Sequence, residues 1–195
     1  SKYVVLILAS LVAFGPLSID MYLPALPEIA GNLAASADAI QQTITVFLIG
    51  FSIGMLIYGP LSDHFGRKKL LMSGIVIYLL ATLGCIFAPT AEFLLGSRLL
   101  QALGGASASV LARAIVRDLY AVKDAAKILS WMQIITMIAT LIAPILGSTL
   151  MTNFGWQSIF IFLFIFAAVC FVAYGTQVPE TLEPERRLPN IMSVF

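Results

Sequence analysis

The sequence predicts an all-α integral membrane protein with six transmembrane helices, and three observations lead to this fold class. Hydrophobic residues make up 60% of the 195 residues, and charged residues only 11%. A soluble domain needs about 25% charged residues to cover its surface, so most of this surface must face something other than water. The apolar residues are also grouped into six long segments, and the basic residues between those segments alternate from side to side.

Each of the six apolar segments is long enough to cross a bilayer. A helix needs about 20 apolar residues to cross roughly 30 Å of hydrocarbon. The segments that meet this requirement are approximately 4–25, 41–61, 70–88, 92–112, 128–150 and 157–176. The first segment is too long for the apolar part of a signal peptide and five more follow it, so we interpret it as a span.

The basic residues predict the direction of the spans, because lysine and arginine beside a span are retained in the cytoplasm. Ten of the 11 basic residues precede span 1, lie between spans 2 and 3 or spans 4 and 5, or follow span 6. The three loops on the other side carry only the acids Glu28, Asp38 and Glu92. We therefore expect both termini in the cytoplasm, with residues 1–176 as a six-helix unit and residues 177–195 as a tail or the start of a linker.

Two charged residues lie inside predicted spans. Asp20 is near the outer end of span 1, and Arg98 is near the outer end of span 4. A charge at mid-span costs about 2.5–3.5 kcal/mol on insertion scales, so we expect both to face a shared polar interior. Burial favours a neutral carboxyl group and a nearby guanidinium favours a carboxylate, which would let Asp20 exchange a proton beside a permanently charged Arg98. The alternative is an ion pair that only fixes span 1 against span 4.

Small residues and prolines add detail to the predicted bundle. Gly50 and Gly54 form a GxxxG pair in span 2, and span 4 contains the run Gly104-Gly-Ala-Ser-Ala-Ser109. Such faces let helix backbones approach closely in lipid, so we expect them at helix contacts. Pro16 and Pro144 each remove a backbone donor, and we expect them to kink spans 1 and 5.

The sequence offers little for catalysis, metal binding or nucleic-acid binding. It has a single histidine, no Ser/His/Asp set and no basic stripe. Cys85 and Cys170 each lie in an apolar run without metal-type spacing. We interpret them as small buried residues rather than as a disulfide or a ligand pair. We therefore expect neither an enzyme nor a metal site, and no nucleic-acid partner.

The connection between spans 2 and 3, here called the latch loop, has a recognisable pattern. It reads Gly59-Pro-Leu-Ser-Asp63-His-Phe-Gly66-Arg67-Lys68-Lys69. It resembles the signature G-x-L-S/A-D-x-x-G-R-K/R that the major facilitator superfamily carries between its helices 2 and 3. We expect Gly59 and Gly66 to permit a tight turn and Asp63 to cap or face a helix amino terminus.

This resemblance implies a latch between conformations. The residues that it assigns to the latch are Gly59, Asp63, Gly66, Arg67, Lys68 and Asp118. Asp118 resembles the family acid that pairs with the loop arginine, here Arg67, and the alternative is a solvated charge at a helix end. His64 stands where the family usually has arginine, and we interpret it as a tolerated substitution rather than a pH sensor.

Three further stretches resemble the same superfamily, and the resemblance covers all six spans. Residues 14–27, Phe-Gly-Pro-Leu-Ser-Ile-Asp-Met-Tyr-Leu-Pro-Ala-Leu-Pro, look like the span-1 signature of its bicyclomycin and chloramphenicol resistance (Bcr/CflA) branch of drug–proton antiporters. Residues 97–104 resemble the span-4 pattern R-x-x-Q-G, in which the arginine is tied to proton coupling, with Ala102 in place of glycine. Residues 143–148 resemble the span-5 antiporter signature G-P-x-x-G-G, with Ala143 and Ser148 in place of glycines.

The resemblance implies one half of a major facilitator fold, built as a 3+3 inverted repeat. The implied function is multidrug efflux by proton antiport across the bacterial inner (cytoplasmic) membrane, with the proton gradient as energy source and no cofactor. Small amphipathic drugs, protons and membrane lipid would be the partners. The residues expected at the site are Asp20, Arg98 and Gln101 for proton or substrate coupling, and Pro144 and Gly147 in the antiporter motif.

The chain starts almost at span 1 without a methionine, so we expect it to be part of a longer protein. Its polar face would then meet a missing carboxy-terminal half. A second copy of the chain would take that place if it is a natural six-span protein that acts as a homodimer. The alternatives for function are a metabolite carrier or symporter of the same superfamily, and a non-transporting membrane module that dimerises.

Overall fold

The computed structural model describes residues 2–181, except for the side chain of Lys2, and this part of the chain is helical apart from short connections. The eight α-helices are α1 Lys2–Val12, α2 Phe14–Asp20, α3 Leu26–Asn32, α4 Ala37–Phe65, α5 Arg67–Ile86, α6 Ala91–Leu119, α7 Val122–Phe154 and α8 Gln157–Gln177. A 3₁₀ turn, Leu23–Ala25, connects α2 to α3. No strand occurs within residues 2–181, which confirms the predicted all-α class.

Five of these helices, α4 to α8, are long and apolar enough to cross a membrane. Residues 3–12 and 14–32 form a bent pair, with an angle of 43°, that supplies the sixth crossing when it is counted as one span. The length and composition of the helices thus agree with six spans. Residues 182–195, including Arg186 and Arg187 of the predicted tail, lie outside the described part of the chain.

The bend in the first span has a local cause in Pro16. Proline has no N–H, so it cannot donate to the carbonyl group of Val12 four residues earlier. The N–H of Ala13 instead donates to the carbonyl of Ser10 at 3.2 Å, which tightens the helix at the break between α1 and α2. The kink predicted at Pro16 is therefore present, whereas α7 continues through Pro144 as one helix.

Three helices continue past the predicted ends of their spans. The connections expected at 62–69 and 113–127 are mostly helical, with Gly66 between α4 and α5 and only Tyr120 and Ala121 between α6 and α7. The turn predicted at Gly59 is wrong, because this residue lies inside α4. Hydropathy marks where a helix is in lipid, whereas the helix ends where a residue such as Gly66, with φ 95°, leaves the helical conformation.

The central helix is α6, which packs against α4 and α5 through the small residues noted in the sequence. A Cβ atom on Gly54 would lie 2.6 Å from Cβ of Ala106, and one on Gly104 would lie 2.5 Å from the backbone nitrogen of Tyr78. Both distances are too short for any side chain, so the GxxxG and glycine-rich faces are helix contacts, as predicted. Cys85 and Cys170 are free and buried.

Candidate functional site

Arg98 lies in α6, is 0% exposed, and is surrounded mainly by aromatic rings. Its guanidinium carbon is 4.2 Å from the ring centroid of Phe47 and 4.5 Å from that of Tyr22. Its Nη1 donates a hydrogen bond of 2.7 Å to Oε1 of Gln101, while Nε and Nη2 have no hydrogen-bond partner within the described residues. The charge is therefore stabilised by ring faces and one amide.

Gln101 connects Arg98 to the neighbouring helix. It lies three residues after Arg98, so the two side chains project from one face of α6. Its Nε2 donates a hydrogen bond of 2.9 Å to the hydroxyl of Thr82 in α5. Arg98, Gln101 and Thr82 are all fully buried, so this polar path runs through the inside of the bundle. The arginine and the glutamine of the R-x-x-Q pattern are thus joined by a side-chain hydrogen bond in the structure.

Asp20 is the last residue of α2 and is partly buried. The Thr140 hydroxyl of α7 is placed to donate a hydrogen bond to its carboxylate. The shared polar interior expected for Asp20 and Arg98 is not found within residues 2–181, because Arg98 lies among aromatic rings and Gln101 whereas Asp20 lies beside Thr140. The alternative, an ion pair between the two, is also absent from this part of the chain. Met21 and Tyr22 keep helical backbone angles, and residues two apart on a helix point to nearly opposite sides. Asp20 therefore faces α7, whereas Tyr22 packs on Arg98.

Beside Asp20, α7 carries polar side chains along an open groove of about 400 Å³. The groove is lined by Pro16, Gln133, Thr136, Met137, Thr140 and Leu141. Polar groups on a membrane-crossing helix avoid lipid and line a cavity or a protein contact. The sequence analysis missed Gln133 and Thr140. Gln133 lies three residues before Thr136 and Thr140 lies four residues after it, so the three share one helix face. This spacing could have predicted a polar face on α7.

Gly147 of the antiporter motif packs directly on Met21, at a second break in span 1 where α2 gives way to the 3₁₀ turn after Asp20. A Cβ atom at this position would lie 2.2 Å from the carbonyl oxygen of Met21 and 2.8 Å from its Cα. Only glycine allows α7 to approach the backbone this closely. The motif in span 5 therefore fixes the segment of span 1 that carries Asp20.

On the side expected to be cytoplasmic, Arg67 joins the latch residues. Its Nε donates to Oδ2 of Asp118 at 3.0 Å, and its Nη2 lies 2.6 Å from Oδ1 of Asp63. Its Nη1 also contacts the hydroxyl of Ser62. The pair of Arg67 with Asp118 is the one that the resemblance implied. Four of the latch residues line a cleft of about 280 Å³ between α4 and α6, namely Gly59, Asp63, Arg67 and Asp118.

The amino terminus of α5 is capped by Glu180, a residue that the sequence analysis did not select, and not by Asp63. The backbone N–H groups of Arg67 and Lys68 donate to the two carboxylate oxygens of Glu180, at 3.0 and 3.2 Å. The Lys68 ammonium group also donates to the carbonyl of Gly175 in α8, at 2.9 Å. The segment after span 6 is thereby attached to the latch loop. The sequence indicates this contact only by placing an acidic residue, Glu180, shortly after the last span.

A similar arrangement occurs at the other end of the bundle. Gly155, with φ 81°, ends α7, and the backbone N–H of Trp156 donates to Oε1 of Glu28 at 3.2 Å. Each second helix of a three-helix unit therefore ends at a glycine with positive φ, and a distant glutamate binds the start of the third helix. Because the two caps lie at opposite ends of the bundle, they agree with the predicted 3+3 inverted repeat.

Replacing Glu180 with glutamine should lower the stability of the protein. Two hydrogen bonds from a helix amino terminus to a carboxylate would become bonds to a neutral amide, and we expect a loss of about 1–2 kcal/mol. Thermal unfolding in detergent measures the change. Asp124→Asn is the matched control, because it removes an exposed charge from the first turn of α7 without a contact to another segment. An equal loss in both variants would show that Glu180 acts only through its charge.

The chain is similar to known proteins in both its sequence and its fold. The sequence profile of the Major Facilitator Superfamily matches residues 7–191. The chain is 39% identical over 186 residues to an uncharacterized MFS-type transporter, YdgK, of Bacillus subtilis, covering 94% of this chain and 46% of that protein. It is 32% identical over 191 residues to a bicyclomycin resistance protein homolog of Haemophilus influenzae, covering 98% and 48%.

A solved structure of the proton:xylose symporter XylE has a similar fold, with a TM-score of 0.80 at 17% identity. The match covers 92% of this chain and 45% of the symporter. The chain thus spans about half the length of the curated relatives that it matches, 46% and 48% for the two above.

Proposed function

The chain belongs to the major facilitator superfamily, in its bicyclomycin and chloramphenicol resistance branch, and we propose that it forms the amino-terminal half of a transporter that exports amphipathic drugs in exchange for protons. The location that we propose is the bacterial inner membrane, with both termini in the cytoplasm. Resistance to an antibiotic, in the name of the Haemophilus influenzae relative, supports drugs as substrates.

One observation supports proton exchange above the others: Asp20 is a partly buried carboxylate inside a membrane span, and its neighbour Thr140 lines an open groove. A carboxyl group in such a place is costly as an unpaired anion, so it tends to hold a proton or a cationic or hydrogen-bonding group of a ligand. The Thr140 hydroxyl beside it is uncharged and does not neutralise it. Asp20 therefore can alternate between a proton and a ligand.

The proposed exchange follows from this competition. A drug that enters the groove from the cytoplasm meets Gln133 and then Thr140, and it displaces the proton from Asp20. Release of the drug to the outside leaves a carboxylate that a proton from the outside neutralises. Because one carboxylate serves both ligands, drug and proton move in opposite directions.

The second half of the transporter would close the open side of the groove. The outward face of α7 carries Leu141 and Ile145, which are 74% and 70% exposed. An apolar face of this kind, next to a polar groove, fits either another half of six helices or a second copy of this chain. The cleft of the latch loop would meet the same partner and hold the halves together in one conformation.

The proposal is tested by reconstituting the complete transporter into liposomes with an acidic lumen. We expect a fluorescent amphipathic drug to accumulate inside, and an ionophore that collapses the proton gradient to release it. Drug accumulation that does not depend on the proton gradient would exclude antiport. Uptake of a metabolite without protection of a drug-hypersensitive strain would instead indicate a carrier of another substrate class.

A further inference from the structure

Resting on the proton exchange proposed above, we propose that Tyr22 is a positioning residue that transmits the protonation state of Asp20 to Arg98. The two charged groups are not in contact, since Asp20 faces Thr140 and Arg98 faces Gln101 and aromatic rings. Tyr22 contacts Arg98 and lies only two residues after Asp20 in the chain. Communication through this short segment takes the place of the shared polar interior expected from the sequence.

Three consecutive residues at the break in span 1 each contact a different part of the bundle. Asp20 faces Thr140 of α7, and the backbone of Met21 packs on Gly147 of the same helix. Tyr22 packs on Arg98 of α6. Only Met21 separates Asp20 from Tyr22, between α2 and the 3₁₀ turn, so the backbone offers a short path by which a displacement of Asp20 reaches Tyr22.

The ring of Tyr22 is held in one orientation by its hydroxyl group. This residue is 0% exposed, and its hydroxyl lies 2.8 Å from the hydroxyl of Thr43 in α4. Thr43 donates its own proton to the carbonyl of Ile40 at 2.5 Å, so Tyr22 is the donor and Thr43 the acceptor. A rotation of the ring away from Arg98 would break this buried hydrogen bond.

Arg98 depends on that ring because it has few other contacts that fix its position. Only one of its three guanidinium nitrogens has a hydrogen-bond partner within the described residues. The faces of Tyr22 and Phe47 supply most of the remaining stabilisation, and such contacts are strongest when they are desolvated. Movement of Tyr22 therefore changes the position and the stabilisation of a fully buried charge.

Asp20 is the carboxyl group of this cluster, and its proton occupancy changes in the proposed exchange. The titratable groups that act on Arg98 are Tyr22 at the break and Tyr78 and Cys85 on α5. Phenols and thiols in apolar surroundings stay neutral at neutral pH. The helix that faces Asp20 presents Thr140, which does not titrate. A change of proton occupancy at Asp20 is thus the event that the Tyr22 link conveys.

The test uses the complete transporter with Tyr22→Leu, which removes the ring, and Tyr22→Phe, which keeps the ring and loses the hydroxyl. Two rates are measured in liposomes: uphill accumulation driven by a pH gradient, and downhill drug exchange without a gradient. For Tyr22→Leu we expect uphill transport to fall at least about tenfold, with exchange within about twofold of wild type, because a desolvated ring contact is lost. For Tyr22→Phe we expect the uphill rate to stay within about threefold of wild type, because the ring is kept.

Phe93→Leu, which removes a ring that is 50% exposed, is the matched control and should change neither rate.

The inference also predicts that uphill transport by Tyr22→Leu loses its dependence on the pH gradient, whereas Tyr22→Phe keeps it. Equal loss of both rates in Tyr22→Leu would show a structural role only and would overturn the inference, as would an unchanged uphill rate. Failure of the wild-type protein to accumulate drug in response to the gradient would instead refute the proposed function. The two failures are therefore distinguishable.

Discussion

Asparagine in place of Asp20 is expected to reduce uphill drug export to background while the protein still inserts and folds. Asparagine has nearly the same shape as aspartate and keeps a hydrogen-bond acceptor for Thr140. It cannot take up or release a proton, so the exchange has no carrier for its driving ion. The measurement is drug accumulation in liposomes with an acidic lumen, together with the yield of monodisperse protein in detergent.

Asp38→Asn is the control for this variant. Asp38 is exposed in the first turn of α4, and its replacement removes one negative charge without touching the groove. We expect wild-type accumulation in this control. Accumulation against a gradient by the Asp20→Asn variant would show that the proton is carried elsewhere, and the assignment of Asp20 would then be wrong.

A methyl group at Gly147 should also lower both stability and uphill transport strongly, because there is no space for it. Its Cβ would lie 2.2 Å from the carbonyl oxygen of Met21, which belongs to the backbone and cannot rotate away. Forcing extra atoms into such a contact costs about 1–3 kcal/mol. We expect Gly147→Ala to lower the midpoint of thermal unfolding and to impair uphill transport, because α7 must separate from the break that carries Asp20.

The matched control is Gly96→Ala in α6, where no atom lies within 4 Å of the added Cβ. Alanine is a better helix former than glycine, so this variant should be as stable as wild type or more stable by about 0.5–1 kcal/mol. Gly147→Ala with wild-type stability and transport would mean that the tight contact to Met21 has no role in the transport cycle.

The parts of the fold that follow from local chemistry were predictable from the sequence. Hydropathy identified the six crossings, and the missing N–H of Pro16 predicted the bend in the first of them. The resemblance of the latch loop to the family signature led to the pair of Arg67 with Asp118. These features depend on composition or on a short motif, so they need no knowledge of how distant segments pack.

The features that the sequence did not predict depend on side-chain direction or on long-range contacts. Periodicity gives the face of a residue on its own helix but not which neighbouring helix that face meets, so the separation of Asp20 from Arg98 was not predictable. Glu180 lies 113 residues after Arg67, and no local pattern connects them. The helical conformation of Gly59 was missed because a glycine in a family motif was taken as a turn.

The resulting picture places the functional residues of span 1 at a break that three helices hold. Gly147 of α7 fixes the backbone, Thr43 of α4 fixes Tyr22, and Arg98 of α6 packs on the ring. A short segment in which an α-helix changes to a 3₁₀ turn can change conformation at lower cost than a continuous α-helix. This is the property that a carboxylate needs if its protonation is to change the arrangement of two halves.

Proton release on drug binding tests the central claim most directly. The purified complete transporter is titrated with drug in weakly buffered detergent solution, and a pH-sensitive dye reports the protons released. Competition at Asp20 predicts that wild-type protein releases protons in proportion to the drug bound, and that Asp20→Asn binds drug and releases none. Drug binding by wild-type protein without proton release, or equal release by both proteins, would contradict the account.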